Sequence, residues 1–282
     1  MNYKTFDEQY IEICNEIIST GVRIQGRNNL VYTQKFGQDI IVDLRLEFPI
    51  LSLRKMPIKN LLREFLWDLH GKSDIESLGK ARHFWDFLAT PDGYLPHSYG
   101  SSWRSWPVNE PETIGEIIHN VFHSERFDQL EYIVEQLKTN PSNRQLVLQT
   151  YNPAYIKSIA PIPPCHPTVI FSSDKVHLDC LVVARSNDLA TGIPLDTFRY
   201  CLLTHVLAKE ANLIPRIFKM TSANNHIYDQ NMEDIKKIIS RKPIKNDIKI
   251  EILNSIDCLQ SIDDFVITGY NSHENLRFEV AK

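Results

Sequence analysis

Residues 161–211 read PIPPCHPTVIFSSDKVHLDCLVVARSNDLATGIPLDTFRYCLLTHVLAKEA. The segment opens on a cysteine held between prolines, which fix the backbone and remove amide donors. Two strand-like runs follow, Pro167 to Ser172 and Val176 to Val183, with Ser173-Asp174 as the expected hairpin turn between them. An Arg-Ser pair and a Gly-containing turn then lead into a strongly apolar helix predicted over Thr197 to Ala211. Strands that pair through a tight turn and then feed a helix make this part of the chain sheet plus helix.

The flanking sequence extends the same pattern. Phe6, Tyr10, Ile13, Cys14, Ile17 and Ile18 recur at helical spacing up to Gly21, so Phe6 to Thr20 is expected to be an amphipathic helix. Arg23 to Leu46 is rich in Val, Ile, Tyr and Thr and predicts strands broken near Gly37. A second helix should start at Pro57, carry Leu61, Leu62, Phe65, Leu66 and Leu69, and stop at Gly71, with Glu64 inside it. Asp86 to Pro111 reads as a long ordered loop, Phe127 to Leu137 as helix, and Gln145 to Tyr151, Ile214 to Met220, Ile248 to Leu253 and Phe265 to Gly269 as strands. No repeat, low-complexity tract or linker divides residues 1–282. The expectation is one α+β domain, a large mixed or antiparallel sheet with helices packed on one side.

Composition narrows the function classes. The 282 residues hold 31 Lys+Arg against 35 Asp+Glu, a net charge of -4, with 43% hydrophobic residues, enough for a substantial core. No apolar stretch approaches the about 18 residues of a spanning helix, and MNYKTFDEQY lacks the order of a signal peptide, so a cytoplasmic location without membrane partner is expected. Mild acidity argues against nucleic-acid binding but leaves room for a basic pocket holding one anionic small molecule. Five cysteines without a Cys-x-x-Cys pair argue against a disulfide framework or zinc ribbon, and no metal is expected. Cys14, Cys180, Cys201 and Cys258 lie in apolar periodic contexts and are expected to be buried; Cys165 does not.

Cys165 is a candidate nucleophile, since proline rigidity suits a positioned thiolate and a nearby guanidinium, Arg185 or Arg27, would lower its pKa; a buried thiol in a Pro-rich turn explains the motif equally well. A protease-type Cys-His pair is disfavoured, because adjacent residues on an extended chain face opposite ways. Arg185-Ser186, followed by a turn into a helix, is a candidate anion-binding corner.

Taken together, the motifs resemble the thymidylate synthase family along nearly the whole chain. In order they are Arg27; Glu64-Phe65-Leu66-Trp67 with Gly71; Trp85-Asp86; Gly93; Tyr99-Gly100 before Trp103-Arg104; Asp128-Gln129; Pro141-Ser142-Asn143-Arg144; Pro163-Pro164-Cys165-His166; Arg185-Ser186-Asn187-Asp188; Gly192-Ile193-Pro194; and His226-Ile227-Tyr228. The resemblance implies a homodimer with shared active sites that transfers a one-carbon unit from 5,10-methylenetetrahydrofolate to C5 of a pyrimidine nucleotide. It implies Cys165 as the nucleophile at C6. Arg27, Arg185 and Ser186, with Arg144 from the other subunit, would hold the 5′-phosphate. Glu64, Tyr99 and His166 would order water and move protons, His226 and Tyr228 would bind the sugar 3′-hydroxyl, and Trp85, Asp188 and Gly192 would line the folate side.

Departures from the family pattern bear on the substrate. Asp196 stands where thymidylate synthases carry an asparagine that reads the uracil edge. An amide satisfies N3–H and O4 together, whereas a carboxylate faces O4 acceptor to acceptor; against cytosine it accepts from the N4 amino group and from a protonated N3. Asp196 and the run Arg185 to Asp188 also resemble the deoxycytidylate hydroxymethylase branch. Gln145, Ala184, Asn224 and Leu88 replace an arginine, a glutamine, an aspartate and a tryptophan of the usual pattern. The expected activity is 5-hydroxymethylation of a cytidine monophosphate, dCMP ahead of CMP. The alternatives are a cytidylate C5-methyltransferase, a divergent thymidylate synthase acting on dUMP, and a non-catalytic nucleotide- or RNA-binding homologue.

Overall fold

Thr5 nucleates the first helix: its hydroxyl accepts the Glu8 amide while the Glu8 carboxylate accepts the Thr5 amide, a reciprocal capping box. The structure, a computed structural model, describes residues 3–26, 29–95, 98–107, 126–153 and 163–280. Its elements in chain order are α1 (Phe6–Thr20), β1 (Val22–Gln25), β2 (Val31–Asp43), α2 (Ile58–Leu69), α3 (Tyr99–Arg104), β3 (Trp106–Pro107), β4 (Arg126–Phe127), α4 (Gln129–Thr139), β5 (Val147–Gln149) and β6 (Thr168–Ser173). They continue with β7 (His177–Ala184), β8 (Asn187–Asp188), α5 (Gly192–Glu210), β9 (Ile214–Tyr228), α6 (Asp229–Ile239), β10 (Lys249–Ile252) and β11 (Phe265–Thr268).

Among the described residues a mixed seven-stranded sheet runs in the order β1-β2-β9-β7-β6-β5, with β8 also on β9. Hairpins β1/β2 and β6/β7 are antiparallel, whereas β7 and β8 lie parallel to β9. A parallel pair needs a crossover, and α5 supplies it between β7 and β9. Along β7 the residues Leu178, Cys180, Val182 and Ala184 are buried while their neighbours are not, so one face of the sheet carries the core. That face packs on α1, α2 and α5; Phe6, Tyr10, Phe65, Phe198, Leu202 and Phe218 belong to one continuous cluster. Burying a large aliphatic or aromatic side chain stabilises by about 1.5–3 kcal/mol, and this cluster is the main source of stability.

Several local expectations need correction. Gly37 does not break the strand: with φ +77 it sits inside a β2/β9 ladder that continues on both sides of it, and the chain reverses instead between β1 and β2. Residues 86–111 are not one loop, since 86–88 form a 3-10 turn and α3 follows at Tyr99–Arg104. The helix α5 begins at Gly192, five residues before the expected start, because a proline in the first turn costs no hydrogen bond there and Pro194 is tolerated. Cys258 is exposed, at a 3-10 turn, while Cys14, Cys180 and Cys201 are buried as expected. Strand β9 runs fifteen residues, through His226 to Tyr228. No described helix is long and apolar enough to cross a membrane.

Candidate active site

Cys165 lies just before β6 and is half-buried. Its backbone is held from two sides: its amide donates to the Tyr99 hydroxyl (2.8 Å) and its carbonyl accepts the Arg185 amide (2.9 Å). Arg185, at the end of β7, reaches back along the same segment. Its Nε donates to the Pro164 carbonyl (3.0 Å), a second nitrogen donates to the Pro163 carbonyl, and that nitrogen stands 3.7 Å from Cys165 Sγ. A cation at this distance favours thiolate over thiol. Ser186 follows, half-buried, between β7 and β8.

Next in sequence, His166 points inward and is buried. Its Nε2 lies 3.2 Å from Asn187 Oδ1 and 3.3 Å from Asp196 Oδ2. Two acceptors facing one nitrogen fix the tautomer with the proton on Nε2, and Nδ1 has no partner among the described residues. Asn187 is itself fixed by donating to Ser222 Oγ (2.7 Å). Tyr99 lies against the His166 ring, centroids 5.6 Å apart, and burial pushes its hydroxyl well above the ordinary phenol range.

Beneath these residues is a group of charges that joins Glu64 and Asp196 to Asp68 and Arg199, two residues the sequence pattern had not marked. Arg199, one turn after Asp196 on α5, pairs with Glu64, stands 3.3 Å from Asp68 and 3.6 Å from Asp196, and stacks under the Tyr99 ring at 5.1 Å. All four charged side chains are buried or nearly so. Asp68 also accepts the Gly100 amide (3.2 Å), where α3 crosses α2 so closely that a Cβ on Gly100 would sit 2.3 Å from the Asp68 carbonyl. Burial pushes the Asp68 carboxyl well above the usual carboxylate range. The helical signal for this group was available: Glu64 and Asp68 are four apart on α2, Asp196 and Arg199 three apart on α5.

The remaining candidates fall in two places. His226, on β9, is buried and donates from Nδ1 to Asn224 Oδ1 at 3.0 Å; burial lowers its pKa, and its ring meets Tyr228 edge-on at 5.0 Å. Asp188 pairs with His226 in the β8/β9 register, and its carboxylate accepts the Ala190 amide and the Thr191 hydroxyl, closing the turn into α5. Gly192 adjoins Asp196, whose Oδ2 would be 3.4 Å from a Cβ placed there. Trp85 stacks on Trp67 (6.4 Å, 27°), and its buried Nε1 has no partner among the described residues. Arg144 is exposed, between α4 and β5, and makes no hydrogen bond or ion pair among the described residues. Arg27 lies outside the described residues.

Four substituted positions also have their places. Ala184 is fully buried in β7, Leu88 packs on the small cluster of Trp67, Ile75, Leu78, Ala81 and Leu95, Asn224 bridges Gln34 and His226, and Gln145 is exposed.

The thymidylate synthase family model matches residues 8–282. Members of this family are one-carbon transferases that use methylenetetrahydrofolate as co-substrate on a pyrimidine nucleotide. A match of nearly the whole chain, on a fold that brings Tyr99 and Arg185 onto Cys165 and Asp196 onto the adjacent His166, makes this protein a member of the thymidylate synthase family.

Proposed function

We propose that this chain is a cytidylate 5-hydroxymethylase, acting on dCMP ahead of CMP, with methylenetetrahydrofolate and water. The observation that carries the reading is Asp196, a carboxylate beside His166 and Arg199 where the family pattern has an amide. An ionised carboxylate is an acceptor only, and the cytosine edge offers it the N4 amino group and, when protonated, N3.

The folate supplies a one-carbon unit at the oxidation level of formaldehyde. The residues on its side fit a planar polar ring: Trp85 has a buried Nε1 donor without a partner among the described residues, and Gly192 leaves space beside Asp196 that a side chain would fill. Asp188 holds the turn of residues 188–191 rather than reaching out, since both its oxygens are engaged.

In this reading Cys165 Sγ, kept as thiolate by Arg185, adds to C6, and the electrons of the C5–C6 double bond make C5 nucleophilic toward the one-carbon unit. Loss of the C5 proton and cleavage of the bond between the one-carbon unit and the folate nitrogen would release tetrahydrofolate and leave an exocyclic methylene, to which water adds as the C6–S bond breaks and the thiolate returns. Nucleotide gains CH₂O in total and the folate leaves without oxidation. Glu64 and Tyr99 order water near C5, with His166 on the carboxylate that reads the base. Arg185 and Ser186, with Arg27, take the 5′-phosphate; His226 and Tyr228 take the 3′-hydroxyl. Arg144, exposed and without a hydrogen bond or ion pair among the described residues, completes a neighbour's phosphate site in a twofold dimer.

The test is incubation of the protein with methylenetetrahydrofolate and, separately, dCMP, CMP and dUMP, with mass analysis of the product and near-ultraviolet detection of dihydrofolate. A gain of CH₂O on dCMP and no dihydrofolate is expected. A gain of CH₂ with stoichiometric dihydrofolate would make the protein a methyltransferase, and faster turnover of dUMP would end the cytidylate reading. Cys165→Ser should abolish product while nucleotide binding by calorimetry stays intact, because a hydroxyl does not ionise at neutral pH as a thiol does. Mixing inactive Arg144→Ala and Cys165→Ser subunits should restore part of the activity if the sites are shared.

A further inference from the structure

The water that attacks the methylene on C5 has to be placed relative to Cys165, because the sulfur fixes C6 and C5 is its neighbour. The groups assigned to that water stand on separate elements: Glu64 on α2 and Tyr99 on α3, while Cys165 precedes β6. Arg199, on α5, is in contact with both Glu64 and Tyr99.

One terminal nitrogen of Arg199 is paired to Glu64 Oε1, Nε faces Asp68 at 3.3 Å, the other terminal nitrogen faces Asp196 at 3.6 Å, and Cζ lies 5.1 Å from the centre of the Tyr99 ring. A guanidinium is planar and its donors keep fixed directions, so contacts on three edges and one face leave it a single orientation. It holds Glu64 by one oxygen. The other oxygen, Oε2, makes no hydrogen bond among the described residues and is the one left for water. On the far side of the Tyr99 ring, the hydroxyl accepts the Cys165 amide at 2.8 Å, which leaves its own O–H to donate. Arg199 therefore ties the carboxylate of α2 to the ring that holds the backbone of the nucleophile.

Charge compensation alone would also place a cation among three acids, since a buried carboxylate needs one. Any cation would meet that need. A lysine ammonium is a compact point charge and cannot address three acids and an aromatic face from fixed directions. We infer that Arg199 is a positioning residue for the water step: it fixes the second oxygen of Glu64 relative to Tyr99 and Cys165 and so places the water that attacks the methylene. This rests on the reading of Glu64 as the group that orders that water.

The experiment follows a single turnover of C5-tritiated cytidylate with methylenetetrahydrofolate in wild type, Arg199→Lys and Arg199→Gln, recording tritium release and hydroxymethyl product separately. Tritium leaves when C5 loses its hydrogen, before water attacks, so the ratio of the two rates isolates the water step whatever fraction of the protein is folded. In both variants the rate of tritium release over that of product should rise about tenfold or more above wild type, since a misplacement of about 1 Å can cost about 10²-fold. A thiol in solution, 2-mercaptoethanol, should then compete for the waiting methylene: its sulfur bonds the methylene carbon as the C6–S bond breaks, giving a thioether seen by mass. An Arg199→Lys ratio equal to that of wild type would overturn the inference, because charge alone would then suffice. Should Arg199→Lys not fold, the ratio in Arg199→Gln decides, and an unchanged value there overturns it. A wild-type product that gains CH₂ with dihydrofolate would remove the water step and the inference with it, an outcome read from wild type alone and separate from any difference between the variants.

Discussion

Arg216 and Arg199 each gather more than one carboxylate, and their settings differ. Arg216, on β9, donates to Asp179 at 2.6 and 2.9 Å and to Asp174 at 2.8 Å, with side chains 28% to 44% exposed. There backbone amides of His177 and Val176 hold the Asp174 carboxyl well below the usual range, and the bond to Asp179 raises Arg216. Arg199 has three acids in the interior, and there burial raises Asp68 instead. The difference is solvation. Water supports any number of charges around Arg216, so that group is a surface clasp. The interior supports only charges that are compensated, so around Arg199 each acid depends on its place beside the one guanidinium.

Four substitutions sharpen or break this comparison. The largest effect is expected for Asp196→Asn, which replaces an acceptor with a donor-acceptor pair and should move base preference from cytosine toward uracil by up to about 10⁴-fold, read as the ratio of kcat/KM values. Arg199→Ala leaves buried carboxylates without their cation and should cost about 3–5 kcal/mol in urea denaturation. A loss below about 1 kcal/mol would mean that Arg199 behaves like a surface residue.

Asp68→Asn acts through pH. Because its folded-state pKa is raised, the native protein binds a proton that the unfolded chain releases above about pH 4, so the contribution of Asp68 is complete at lower pH and is lost as pH rises toward the folded value. The variant should therefore lose less stability than wild type between acid and neutral pH, and parallel stability curves would refute a raised Asp68 pKa. Arg216→Gln should be the smallest, within about 1 kcal/mol and shrinking further in high salt. Asp174 has the opposite sign to Asp68: its pKa is depressed, so its contribution is present at neutral pH and disappears in acid.

Much of the fold was legible because local chemistry and tertiary packing agreed. Helix α1 occupies the predicted residues, since Thr5, Glu8 and the apolar spacing of Phe6 to Ile17 all call for the same helix. The β6/β7 hairpin turns where Ser173-Asp174 suggested, with Lys175 in the left-handed region. Gly37 misled because a positive φ is compatible with a ladder that the partner strand holds in register. The start of α5 was missed because Gly192 and Pro194 read as turn residues, whereas in a first turn they leave no bond unmade.

The sequence by itself determined the set of reactive types and their local frames: Cys165 between prolines, an arginine at the end of a strand, and a carboxylate at position 196 in place of an amide. These follow from residue identity and short spacing, which do not depend on where distant segments lie. Only the tertiary structure decided that Arg185 stands beside Cys165, that Asn187 orients His166, and that α2 brings Glu64 and Asp68 onto Arg199 and Asp196 of α5. Each of those depends on burial and on distances between residues 20 to 135 positions apart, and a charge changes its behaviour with its surroundings while its letter in the sequence stays the same.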